Sequence, residues 1–178
     1  MKYAFVNGVI LDGSQEMAPR RGEVVLTDGE NIRELVPAGG ALSGYETIDL
    51  NGRYLMPGLI NLHVHLPASG RPKKKAQDPV KTVRTMTSNP ISRAVLRKLC
   101  EGFARTELFS GVTTIRTVGG ILSDDTALRD RIASGAVAGP RILAADMPTP
   151  VSRTSMVQSS APLGRALMLV IQETVPPS

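Results

Sequence analysis

Residues 57–66 read PGLINLHVHL. From Gly58 to Val64 the stretch is mostly apolar without polar alternation, as expected of a parallel strand buried on both faces. His63 and His65 stand two apart at its C-terminal end, and Pro67 stops the strand almost at once. Residues i and i+2 of a strand point to one face, about 6–7 Å apart. Two imidazoles so placed can converge on one metal ion, each giving a nitrogen at about 2.0–2.1 Å to zinc. The C-terminal end of a strand is also where parallel α/β barrels gather their active sites. On spacing alone the pair equally fits two polar side chains satisfied by backbone or water.

Downstream, the segment from Pro67 to Asn89 is polar and reads as a loop. Asn89-Pro90 then gives an N-cap followed by proline at the first helical position, opening a helix over about Ile91 to Phe109. Ile91, Val95, Leu99 and Phe103 recur every four residues and are expected to form its buried face, with Cys100 also buried. Gly111 closes the helix. Val112 to Val118 is β-branched and apolar, a second strand. Gly119-Gly120 turns the chain, Ser123 or Asp124 caps a helix through about Ala133, and Pro140 to Ala144 begins a third strand. Strand, helix, strand, helix, strand argues for a parallel sheet of crossover units.

Upstream, residues 2–50 read as short strands joined by turns. Asn7-Gly8 and Asp28-Gly29 are hairpin signals between apolar runs, and a small antiparallel sheet is their natural sum. The expected organisation is a strand domain over 1–55, a parallel strand–helix domain over 56–145, and an irregular tail over 146–178. The tail holds five prolines and five serines, and its abrupt loss of strand–helix rhythm suggests a changed reading frame after about residue 145.

The chain has 178 residues, 42% of them hydrophobic, which suffices for an ordinary core. Aromatics are only 3%, so that core must be aliphatic. The single cysteine excludes an intramolecular disulfide and fits a reducing, cytoplasmic setting. No stretch reaches the roughly 18 apolar residues of a membrane span. The formal charge of +5 is concentrated in residues 71–105, which hold ten basic residues against two acidic ones. Nucleic-acid surfaces usually interleave such charge with aromatics, and Phe103 is the sole aromatic there, so no nucleic-acid partner is expected. The Arg71-Pro72-Lys73-Lys74-Lys75 loop is read as exposed and polar ahead of a gate for substrates with acidic groups, and Arg116 as the donor of a structural ion pair ahead of a contact to substrate.

Met56 to His65 resembles the first-strand signature of the amidohydrolase superfamily, PGLID-x-H-x-H. Three further stretches are similar to its imidazolonepropionase-like and Xaa-Pro dipeptidase-like branch. They are Phe5 to Gly13, Gly111 to Arg116, and Leu128-Arg129-Asp130 through Gly139 to Ala145, in the family's order and spacing. The resemblance covers residues 1 to about 145. It implies an α/β fold: a small N-terminal β-sandwich-type sheet, then the first three or so βα units of a TIM-type (β/α)8 barrel, truncated. About 250 residues are needed for a complete barrel.

The resemblance also implies a metal-dependent hydrolase of amide, cyclic amide or Xaa-Pro bonds, using one or two divalent ions, zinc above all. His63 and His65 would hold the more buried one. The partners implied are a small-molecule amide or dipeptide and an oligomer or complementing chain, with no membrane. Asn61 stands where the family has aspartate, and Thr117 where the branch has aspartate after Val-Arg. Members complete the site with a carboxylated lysine or glutamate, two further histidines and a late aspartate. This sequence has two histidines in all, so no general base can be named and the chain alone is expected to be inactive. The alternative is a non-catalytic remnant that pairs with another chain.

Overall fold

The computed structural model describes residues 1–68 and 78–145, a mixed α/β chain that divides between Gly58 and Leu59 into two compact units. The basic Arg71–Lys75 loop and the Pro/Ser-rich 146–178 segment lie outside the described residues.

The first unit contains β1 (Lys2–Val6), β2 (Val9–Ile10), β3 (Glu23–Asp28), β4 (Asn31–Pro37), β5 (Glu46–Asp49) and β6 (Tyr54–Leu55). Four of them form a sheet in the order β4-β3-β1-β5, and β2 and β6 form a separate parallel pair. The hairpin expected at Asp28-Gly29 is present: β3 and β4 are antiparallel, Asp28 faces Asn31, and Gly29 takes a left-handed φ of +59°. The hairpin expected at Asn7-Gly8 is not. Both edges of β1 are already taken, by antiparallel β3 and parallel β5, so β2 leaves to pair with β6. Gly8 is needed there for close approach, because a Cβ would lie 2.4 Å from Leu50 Cδ1. The sheet is therefore mixed rather than antiparallel.

The second unit carries β7 (Leu59–Val64), α1 (Pro79–Thr87), α2 (Pro90–Phe109), β8 (Val112–Thr117), α3 (Asp124–Ala133) and β9 (Arg141–Leu143). The three strands are parallel in the order β7-β8-β9. Asn89 caps α2 as expected, its Oδ1 accepting from Ser92 N at 2.8 Å. Helix α1 falls within the segment expected to be a loop. Asp78-Pro79 gives it the same start as Asn89-Pro90 gives α2, and Asp78 Oδ1 accepts from Val80 N and Lys81 N.

The core of this unit joins Val64, Leu66, Leu96, Cys100, Ala104, Ile115, Leu128 and Ile142. Cys100 is buried as expected, but the buried stripe of α2 is Leu96-Cys100-Ala104, one residue round from the stripe chosen on periodicity. Ile91, Val95 and Leu99 are exposed, and Phe103 alone of that set packs against the core. Both stripes have four-residue spacing, and small residues at 100 and 104 let the helix lie close to the sheet.

Strand β7 also departs from expectation. Ile60 and Leu62 are 64% and 59% exposed rather than buried. Among the described residues β7 is an edge strand, and the shared core covers one face of its sheet.

Candidate metal centre

At the end of β7 the exposure alternates cleanly. Val64 and Leu66 enter the core, while His63 and His65 are exposed. Alternation therefore places both imidazoles on the face away from α2 and α3. Their ring centroids are 5.2 Å apart with planes at 72°, close enough for a nitrogen of each to reach a common ion.

Two backbone contacts shape this end of the strand. His65 Nδ1 lies 3.3 Å from the carbonyl oxygen of Gly119. A carbonyl can only accept, so this contact requires the proton on Nδ1 and leaves the Nε2 lone pair available to a metal. Gly119 has φ +137°, a conformation side chains rarely adopt, and it sits just past β8. The second contact is internal to β7, where His63 N donates to Asn61 Oδ1 at 3.2 Å. The residue that replaces the usual aspartate thus caps its own backbone.

The adjoining strand ends are tied by Val118 N donating to Val64 O at 3.1 Å. Thr117, fully buried, accepts from Ala145 N at 3.0 Å through its Oγ1, joining β8 to the segment after β9. It is a structural link on the core side of the sheet. Arg116, its neighbour, is exposed on the same face as the histidines. Among the described residues it makes no ion pair.

Cys100 is remote from this face. Burial first, and then the carboxylates of Asp125 and Asp124, push its thiol up to about 12, so it is core packing and no nucleophile. Asp124 and Asp125 are themselves buried in the first turn of α3, where the helix N-terminus favours negative charge. Asp124 also meets Arg97 Nε at 3.3 Å.

The donor set fits a divalent cation in part: two imidazoles on one strand face, one oriented through its second nitrogen. Among the described residues no group of three or more histidine, cysteine, aspartate or glutamate side chains is disposed around one ion. The described residues bring together two imidazole donors and no third. The sequence puts the two histidines at one strand end but gives no sign of the Gly119 carbonyl beside His65, because Gly119-Gly120 signals only a turn.

The model of the amidohydrolase family matches residues 54–167, beyond residue 145, the end expected from the sequence resemblance. Among curated proteins, the dihydroorotase of Anaplasma phagocytophilum is 34% identical over 80 residues, covering 42% of this chain and 17% of that protein. The Bacillus pumilus dihydroorotase is 38% identical over 79 residues, with the same coverage. Among solved structures, an amidohydrolase superposes with a TM-score of 0.65 at 26% identity, covering 83% of this chain and 32% of that one. A Xaa-Pro dipeptidase with bound methionine gives a TM-score of 0.64 at 27% identity, covering 83% and 34%. The chain thus spans 17% of the length of these curated relatives and about a third of the solved ones. The matched stretch includes the His63/His65 strand and more than half of the sequence, and the chain belongs to the amidohydrolase family.

Proposed function

We propose that this chain carries the opening strands of a (β/α)8 barrel, β7 to β9, in a metal-dependent hydrolase of carbon–nitrogen bonds. The observation that carries the reading is the pair His63 and His65, 5.2 Å apart on one face at the C-terminal end of the first parallel strand. Bound there, a divalent cation, zinc by family resemblance, would supply Lewis acidity to the hydrolysis of an amide, cyclic amide or Xaa-Pro bond. His63 and His65 would hold it, and the Gly119 carbonyl would keep the His65 proton on Nδ1. The partner is a small amide or dipeptide. Both histidines of the sequence are used by this pair, so further ligands and the general base must be supplied from elsewhere, and this chain alone does not turn over.

A second reading, a remnant that pairs with another chain, is favoured by one observation. Ile60 and Leu62 on β7 and Ile91 and Val95 on α2 are large apolar side chains left open to solvent.

Zinc titration of the isotope-labelled chain, followed at the imidazole resonances, tests the leading reading. Both rings should respond together, saturating at one ion per chain and binding more weakly at acid pH, where imidazoles must lose protons to coordinate. Rings that respond separately, or not at all, contradict it. Turnover of an amide or dipeptide by the zinc-loaded chain would show that the missing ligands are not required.

A further inference from the structure

The sequence holds two Asn-Gly steps, Asn7-Gly8 and Asn51-Gly52, and the fold brings them together. Strands β1 and β5 run parallel and end at the pair Val6 and Asp49, and β2 and β6 resume the parallel pairing at Val9 and Tyr54. Between the two pairings both chain segments bend at their Asn-Gly step. Both asparagines are exposed and take a left-handed φ, +57° at Asn7 and +49° at Asn51. Asparagine tolerates that conformation better than most side chains. The bends are tied by Leu50 N donating to Val6 O at 2.9 Å and by Gly52 N donating to Asn7 O at 2.7 Å. Asp49 completes the tie, one carboxylate oxygen accepting from Asn7 Nδ2 at 3.0 Å and the other from Asn51 N at 2.8 Å.

The two steps differ at the atom on which their chemistry depends. In an Asn-Gly step the glycine nitrogen can attack the carbonyl carbon of the asparagine side chain, since glycine has no Cβ to hinder the approach. A new C–N bond closes a cyclic imide, the bond to the side-chain nitrogen breaks, and that nitrogen departs as ammonia with the proton of the glycine amide. Water then opens the ring at either carbonyl, giving aspartate or its isomer linked through the side-chain carbon. Water is the co-reactant, and nothing is oxidised or reduced. The attacking nitrogen must first be free to give up its proton. Gly52 N–H is held by the Asn7 carbonyl, which keeps it from attacking Asn51. Gly8 N–H has no hydrogen-bond acceptor among the described residues. The Asn7 side chain is held through its amide nitrogen, the leaving group, so the attacked carbon carries no such block.

We infer that Asn7 is a modification site, converted to aspartate or isoaspartate in the folded chain, and that Asn51 follows only after it. Conversion at Asn7 replaces the donor Nδ2 by a carboxylate oxygen facing Asp49. Asp49 is itself held ionised, its carboxyl lowered first by the Asn51 backbone N–H and then by Asn7. Two carboxylates then meet where a hydrogen bond stood, and like charges that close repel. The isoaspartyl product also lengthens the backbone by one carbon beside Gly8, which is seated so tightly that a Cβ would lie 2.4 Å from Leu50 Cδ1. Either change draws the Asn7 carbonyl away from Gly52 N and frees the second step. The bend thus carries an irreversible, ordered loss of the tie between the ends of β1 and β5. It lies in the first unit and rests on nothing in the metal-hydrolase reading.

The test incubates the full chain at mildly alkaline pH and follows the peptides spanning each step by chromatography and mass spectrometry. Exchange of ammonia for water raises the mass, and isoaspartate separates from aspartate by retention. In native buffer Asn7 should convert first, with Asn51 slower by about tenfold, the factor that one retained hydrogen bond supplies. In concentrated urea, where that bond is lost, the two steps should convert at similar rates. Asn7→Asp supplies the new carboxylate directly, and Asn51 should then convert faster in native buffer than it does in the parent. Conversion of Asn51 before Asn7, or at an equal rate, in the native parent overturns the assignment. So does an Asn7 that converts in urea and stays intact in native buffer. The order in the parent is decided without any variant, and an Asn7→Asp chain with Asn51 as slow as in the parent overturns the link between the steps.

Discussion

Replacing Leu96 by alanine should nearly unfold the second unit, while the same change at Leu99 should be mild. Leu96 is 1% exposed and joins α2 to the core of Val64, Ile115 and Leu128, whereas Leu99, three residues on, is 42% exposed. Truncating Leu96 removes three buried carbons, about 2–3 kcal/mol in transfer free energy. The cavity left behind raises the cost to about 3–5 kcal/mol, because close-packed neighbours relax only in part. At Leu99 roughly half of the transfer term applies and no cavity forms, so about 1 kcal/mol is expected. The three helices among the described residues lie in this unit, so the far-UV helical signal follows its unfolding. Urea titration with unchanged slope should give the two costs from the midpoints. In a thermal melt, Leu96→Ala should lower the midpoint by about 10–20 °C. A Leu99→Ala variant as damaging as Leu96→Ala would refute the argument, since it would mean that the stripe first read from periodicity is the one that packs.

Other consequences can be measured separately. Cys100 should resist alkylation at mildly alkaline pH in the native chain and react at once in denaturant, and rapid native labelling would contradict its burial. Its folded value of about 12 lies above the ordinary 9.0, so the unfolded thiol loses its proton first. Stability should therefore fall as pH rises from about 9 towards 12, and a flat profile there would count against the shift. Thr117→Val keeps the shape but removes the acceptor for Ala145 N, and Ala145 is exposed enough to turn to water. A loss of about 1 kcal/mol is expected by denaturant titration, with zinc binding unchanged. Loss of zinc binding in that variant would move Thr117 into the site.

Much of the second unit was legible because its signals are local. Asn89-Pro90 and Gly111 mark helix ends by backbone rules that need no partner, and the β-branched or apolar stretches at 59–64 and 112–117 form the strands their composition favours. Most of the errors involve something a local pattern cannot carry. Two apolar stripes run along α2, and only packing against Ile115 and Leu128 selects the one through Leu96. Asn7-Gly8 has hairpin chemistry, yet β1 had no free edge to offer β2. Helix α1 was missed although Asp78-Pro79 repeats the signal at Asn89-Pro90, because the helix is short and polar and its start was absorbed into a basic loop. At the candidate centre the histidines were visible in a ten-residue motif. The Gly119 carbonyl comes from a neighbouring strand end and depends on how the two strands pair.

The central claim is that His63 and His65 hold a single divalent ion jointly. Zinc affinity measured by calorimetry for the parent, His63→Ala, His65→Ala and the double variant tests it most directly. The account predicts one ion per chain in the parent, a large loss in either single variant, and little further loss in the double, because the two rings share one ion. Two independent weak sites, with losses that add, or an affinity untouched by either substitution, would contradict it.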